Sequence, residues 1–324
     1  RPFIVRQLNY DLTPVAGLAL VGHHLNRLAP VFKQLDGALP VKNGVANSDI
    51  LRSFLGLLVQ GKSDFDAIEN FRGDAFFKQA LGIKLLPSSP TLRQRMDARA
   101  DDLFDFLPTL IETLLAGARA DYGVLPCGWL ALDVDTFAMD NGDTAKDGVG
   151  RTYTGVDGYC PLAAYLGSHG FCLELALRPG VQHSASETDF NLERVIPMAQ
   201  RLSAAGPNAP ILARLDSGFE SETTLRALEW RGVGYVVKMR ATAEVAAFAA
   251  SRGDSAWRAV ELDSEGQLQV TSFVWQRPSW SVPRVVVALS DTHTPLEPSQ
   301  ESRVDSEAFA LLARTIRETN PDDV

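Results

Sequence analysis

Two short segments carry acids where acids are unusual. Trp129-Leu130-Ala131-Leu132-Asp133-Val134-Asp135 is an apolar run closing on two carboxylates, and Pro210-Ile211-Leu212-Ala213-Arg214-Leu215-Asp216 is a second that closes on one. Both have strand character, and on a strand Asp133 and Asp135, two positions apart, point to the same side. Neighbouring strands of one sheet would bring all three acids to its edge. Carboxylates gathered in that way repel one another unless a cation or hydrogen bonds offset them. Such a cluster suits one or two Mg²⁺ ions (Mn²⁺ as a substitute) that activate an attacking oxygen and stabilise a leaving one. The same acids also read as caps of the turns and helices that follow, since Asp216-Ser217-Gly218 is a good Asx-type turn. Spacing alone leaves both readings open.

Weaker candidates surround these. Asp140, Asp143 and Asp147 sit in a loop that resembles a calcium site but lacks the twelve-residue EF-hand pattern and its closing Glu, so turn chemistry is the expectation. Gly180-Val181-Gln182-His183-Ser184 would place His183 near a phosphate, although a lone loop histidine is more often simply exposed. Arg178, Lys238 and Arg240 are candidate phosphate partners, with solvated surface as the alternative. Ser88 to Arg99 reads as a helix with Ser89 as cap and Pro90 in its first turn, presenting Arg93, Gln94, Arg95 and Arg99. It would be either a DNA-reading helix or a wet face. Tyr153, Tyr159 and Tyr165 read as core or hairpin rungs.

The elements that must position these residues follow from periodicity. Helices are predicted over Leu12–Leu28, from Asn47 towards Gly61, over a short segment from Ser63, and from Leu103 to Ala120, where Leu107, Leu110, Ile111, Leu114 and Leu115 form a stripe expected to be buried. Beyond Asp121 the order changes to strand, hairpin, helix, strand, helix, strand. The hairpin is Cys160–Gly167 and Phe171–Leu177 across His169-Gly170. Helices span Asn191–Leu202 and Ser221–Trp230, and a third strand runs from Gly234 to Met239. This is a mixed α/β sheet. Gln267–Trp275 and Val282–Leu289 read as strands of a small antiparallel extension, and Ser306–Glu318 as a helix.

Composition bounds the rest. With 324 residues and 45% hydrophobic side chains the chain fills at least one substantial core. Its three cysteines fit no zinc spacing, and no apolar run spans a bilayer. A cytoplasmic protein without a membrane partner is the expectation. Lys and Arg number 31 against 40 Asp and Glu, a net charge of −9, which argues against nucleic-acid binding except through a local basic face. The chain opens on Arg1 and stops at Asn320-Pro321-Asp322-Asp323-Val324, so a piece of a longer protein is expected.

Four segments in order carry a resemblance. Leu132-Asp133-Val134-Asp135-Thr136, Gly158-Tyr159-Cys160-Pro161-Leu162, the Leu177–His183 stretch and Arg214-Leu215-Asp216-Ser217-Gly218-Phe219 together resemble the DDE transposases of the IS1380 group of bacterial insertion sequences. Pro87-Ser88-Ser89-Pro90-Thr91-Leu92 is similar to an upstream segment of the same family. Val181-Gln182 departs from the usual asparagine-bearing turn, and Leu215 replaces an alanine. The resemblance implies an α/β, RNase H-like mixed sheet with a β-rich insertion behind a mainly helical N-terminal region. It implies divided roles: 1–125 helical and a candidate for end binding, 126–240 catalytic core, 241–300 insertion, and 301–324 the start of a return to the core. It further implies that an acidic triad binds divalent metal and cuts and joins DNA, with Asp135 first, Asp133 as a neighbour that stays open, and Asp216 second. The partners would be double-stranded DNA with terminal inverted repeats and target DNA, met by a homodimer at the bacterial nucleoid. Glu307 and Glu318 lack the family's context for the third acid, which is expected beyond Val324. A nuclease that cuts without joining and a non-catalytic DNA-binding remnant are the alternatives.

Overall fold

The computed structural model describes residues 13–240, 242–262 and 266–291, and the chain divides into two units, Arg1–Ala120 and Asp121–Val324. The first is helical: α1 (Leu18–Arg27), α2 (Ala29–Ala38), α3 (Asn47–Leu58), α4 (Ala75–Leu81), α5 (Ser89–Ala98) and α6 (Ala100–Ala118), with a 3₁₀ turn at Phe65–Phe71. Their apolar stripes close on Leu25, Leu35, Ile50, Leu57, Ile68, Phe77, Leu81 and Leu92, all buried, whereas of the stripe expected to be buried on α6 only Leu110 is so and Leu107 is exposed.

The single helix expected over Leu12–Leu28 begins only at Leu18, and a second helix follows it directly. Thr13 Oγ1 accepts from Val15 N at 3.2 Å, a local bond that competes with helix. Pro30 has no N–H to continue α1 and instead stands in the first turn of α2. The cap of α5 is Ser88, not Ser89. Ser88 has an extended backbone and its Oγ accepts from Thr91 N, while Ser89 Oγ turns to Asp66.

The second unit begins with β1 (Leu130–Thr136) and three very short strands, β2 (Met139–Asp140), β3 (Gly150–Arg151) and β4 (Asp157–Tyr159). β5 (Leu162–Leu166) and β6 (Phe171–Ala176) form the hairpin, followed by α7 (Thr188–Ala205), β7 (Ile211–Leu215), α8 (Glu222–Trp230) and β8 (Gly234–Val237). The main sheet has the order β6-β5-β1-β7-β8. β6, β5 and β1 are antiparallel, whereas β1, β7 and β8 run parallel. This is the expected RNase H-like mixed sheet. Leu130, Ala131 and Leu132 are all buried because β1 is central and covered on both sides. The Gly- and Asp-rich loop after β1 folds into its own small sheet, β2-β4-β3.

A helix that periodicity does not predict, α9 (Ala243–Ser251), leads to β9 (Arg258–Leu262), β10 (Gly266–Trp275) and β11 (Arg284–Asp291), an antiparallel sheet in the order β11-β10-β9. Phe273, Val286 and Trp280 pack with Val245 and Ala249 of α9 and Leu225 of α8. Around that contact Arg284 donates to Glu222 and Glu229, each at 2.7 Å, and Arg277 pairs with Glu220. The helix expected at Ser306–Glu318, with Glu307 and Glu318, lies outside the described residues.

Candidate active site

The acids meet because of register. β1 and β7 are parallel neighbours with Asp133 opposite Arg214 and Val134 opposite Leu215. One step further come Asp135, still paired with Ala163 of β5, and Asp216, the first residue past β7, both at the carboxyl end of these parallel strands. Each is fixed through one oxygen: Asp135 Oδ1 accepts from Thr136 N at 2.7 Å, and Asp216 Oδ1 accepts from Gly218 N at 2.8 Å. The second bond is the Asx turn expected from the sequence, so capping and clustering are both present. Neither aspartate has a cationic partner among the described residues. Partial burial, and next to it the charges of Asp216 and Asp133, raise the Asp135 carboxyl above the ordinary carboxylate value.

Asp133 is placed differently. Arg214 Nε and Nη2 donate to its two oxygens at 2.5 and 2.6 Å, a bidentate pair across the β1–β7 register. Its charge is met inside the protein, and the pair locks the register that brings Asp135 and Asp216 together.

The floor of the site comes from the Arg178–Ser184 turn. Arg178 is buried, and its guanidinium donates to the carbonyls of His183, at 2.5 Å, and Ser184, at 3.3 Å. It therefore shapes the loop instead of facing solvent. Ser184 Oγ shares a 2.8 Å hydrogen bond with Thr136 Oγ1, tying that loop to the end of β1. Gly218 sits closely against the site: a Cβ would come to 3.1 Å from both Asp216 Oδ1 and Ser184 Oγ. His183 is exposed, and its Nδ1 accepts from Ala185 N.

Lys238 is exposed just past β8. Its backbone N–H donates to Leu215 O at 3.0 Å, one residue before Asp216, which carries it to the same end of the sheet as the acids. Arg240 is also exposed, and its carbonyl accepts from Arg277. Spacing does not single out Thr136, Ser184 or Tyr153 as site residues, and the polar run around Ser184 is the one signal available for any of them. Asp140 Oδ1 accepts from Gly142 N, which is turn chemistry.

The arginines of α5 lie in the helical unit and are engaged there. Arg95 donates to Val45 O and to Asn47 Oδ1, so it serves as a strut between α5 and α3. Arg93 lies over the Phe65 ring and near Asp66, and Arg99 pairs with Asp102. Arg93 and Arg99 remain exposed and Arg95 is half-buried.

Two carboxylates with oxygen donors are the ligand type that a hard divalent cation takes. No group of three His, Cys, Asp or Glu side chains is gathered among the described residues. Asp135 and Asp216 are of that donor type and number two. No helix of the described residues is long and apolar enough to cross a membrane.

A family model described as transposase DDE domain group 1 matches residues 25–298. Among solved structures, the cryo-EM structure of a piggyBac transposase synaptic complex with hairpin DNA is similar over 94% of this chain and 68% of that one, at 13% identity and a TM-score of 0.34. The crystal structure of a pre-cleavage Mos1 transpososome is similar over 70% of this chain and 77% of that one, at 12% identity and a TM-score of 0.22. No curated protein matches the chain.

Proposed function

The chain belongs to the transposase DDE domain group 1 family, and from that premise we propose that Asp135 and Asp216 are the acids with which it cuts and joins DNA. The observation that carries this reading is the pair itself: two carboxylates on adjacent parallel strand ends, without a cation among the described residues to offset them. The site would take a divalent cation, Mg²⁺ or Mn²⁺, which supplies Lewis-acid stabilisation of the phosphate oxygens. Thr136 N–H and Gly218 N–H hold one oxygen of each acid and leave the other available. The Arg214–Asp133 pair keeps β1 and β7 in register. His183 and Lys238, exposed near the acids' end of the sheet, are proposed to meet DNA phosphates.

The substrate would be double-stranded DNA ending in terminal inverted repeats, followed by a target duplex, bound by a homodimer of the IS1380 bacterial type. Arg93 and Arg99 of the helical unit are proposed as phosphate contacts, with Arg95 setting the pose of α5. The third acid is proposed to lie beyond Val324. The test uses the full-length protein with labelled duplexes of the DNA that borders its coding sequence. Asp216→Asn should abolish cleavage and joining while leaving salt-dependent binding of the ends in place. Undiminished cleavage by that variant removes Asp216 from the site. Cleavage by the wild type without joining identifies a nuclease.

A further inference from the structure

Of the three tyrosines between β2 and β6, one differs from the others. Tyr159 is half-buried and its hydroxyl donates to Asp147 O, and Tyr165 is a rung of β5 with 37% exposure. Tyr153 is 68% exposed. It stands in the turn between β3 and β4, where Thr152, buried, donates to Val156 O at 2.8 Å and accepts from Val156 N at 3.2 Å. Gly155 closes that turn with φ +79°, a conformation that glycine adopts without steric cost, and donates to Thr152 O. The turn is thus set before any ligand arrives.

The Tyr153 side chain leads back to the acids. Its hydroxyl donates to Thr136 O at 3.2 Å, and Thr136 is the residue after Asp135. After partial desolvation, Asp135 is the next largest influence holding the phenol above its ordinary value, and Asp216 contributes as well. The ring is therefore within the electrostatic reach of both carboxylates and still open to solvent. Arg151, two residues earlier, is also exposed, and its contact with Asp157 at 3.4 Å is a solvated pair of small worth.

We propose that Tyr153 is the DNA-positioning residue of this site, its ring stacking on a nucleotide beside the phosphodiester that Asp135 and Asp216 address, with Arg151 meeting an adjacent phosphate. The inference rests on the reading of Asp135 and Asp216 given above. An aromatic face accepts any base, so the contact orients the strand without reading its sequence. The hydroxyl bond to Thr136 O restricts the ring in advance, which lowers the ordering cost of binding.

The experiment uses the full-length protein and bordering-DNA duplexes, each with one 5-iododeoxyuridine near the cleavage point, photocrosslinked and mapped by mass spectrometry. The expected adduct is on Tyr153, at one or two adjacent nucleotides. Tyr153→Ala should slow cleavage by roughly fivefold to a hundredfold, the range for loss of one base–aromatic stack. Tyr153→Phe and Tyr153→Trp should recover most of it, and an abasic site at the crosslinked nucleotide should erase the difference between Tyr153→Ala and wild type. A merely structural tyrosine would not respond to the abasic site. Adducts confined to other peptides, together with undiminished cleavage by Tyr153→Ala, overturn the proposal. Loss of cleavage in Asp216→Asn would then still support the acid pair. A wild-type protein that neither cleaves nor crosslinks removes both readings.

Discussion

The second unit contains two groups of carboxylates treated in opposite ways. On and before α8, Glu220, Glu222 and Glu229 are each met by an arginine, with Arg284 serving two of them from a side chain that is only 6% exposed. At the end of the main sheet, Asp135 and Asp216 stand together without such a partner among the described residues. The pH signatures differ accordingly. Glu222 is held down to about 2, chiefly by its hydrogen bond from Arg284. Asp135 is pushed up, by burial first and then by its acidic neighbours. Carboxylates neutralised from within hold one element against another. A carboxylate pair without a cationic partner among the described residues carries mutual repulsion, which under the proposed function a divalent cation would offset. Asp133 shows the contrast at close range, since two residues from Asp135 it is fully engaged by Arg214.

The comparison can be tested, beginning with the largest effect. Asp135→Asn or Asp216→Asn should reduce cleavage by at least about a hundredfold, since several kcal/mol of charge stabilisation are lost. Thermal stability should hold or rise, because a repelling charge is removed. A large drop in Tm would return both acids to a structural role. Arg284→Met should do the reverse, costing about 3 kcal/mol in urea denaturation by leaving Glu222 and Glu229 without their partner. That figure is at the lower end for a buried pair because the two glutamates are 27% and 26% exposed.

Acid titration separates the groups by sign. Glu222 has a folded value below its unfolded one, about 4.3, so its contribution is present above that unfolded value and is lost as pH falls towards 2. Glu229, although partial burial works against it, is held low by Arg284 and Tyr235 and acts in the same direction. In the metal-free protein Asp135 acts oppositely: its stability contribution is present at low pH and is lost as pH rises through its raised value. As pH rises, Arg284→Met should therefore fall below the wild-type stability curve and Asp135→Asn should rise above it, both differences vanishing in acid. Parallel curves would contradict the distinction. Asp133→Asn should cost about 1.5 kcal/mol of stability and lower cleavage by no more than about tenfold, because it weakens a strut. The smallest effect lies in the helical unit, where Ser88→Ala should cost about 1 kcal/mol through loss of the α5 cap, read as a lower Tm.

Some of this was legible in the sequence for local reasons. An apolar run ending in an acid is a strand with a polar exit, and Asp216-Ser217-Gly218 is a turn by its own chemistry. Helices with leucine stripes, such as α3 and α6, were visible for the same reason. Others were not. The residues of α9, Ala243–Ser251, are mostly alanine and show little contrast between faces, and β2, β3 and β4 are too short to display a period. Ser88 and Ser89 are indistinguishable as caps until Asp66 takes one of them.

By itself the sequence determined which residues would end strands in carboxylates, that the sheet would be mixed, and which family motifs the chain carries. Those properties depend on side-chain pattern within a few residues. Tertiary structure decided which acids meet an arginine among the described residues. Arg214 reaches Asp133 only because β1 and β7 pair in parallel with those two residues opposite each other. Arg178 turns inward because the loop carbonyls of His183 and Ser184 need donors. Tyr153 reaches Thr136 O, one residue after Asp135, from a turn closed by the buried Thr152. Electrostatic partners are set by distances across elements far apart in the chain, and no local pattern encodes them.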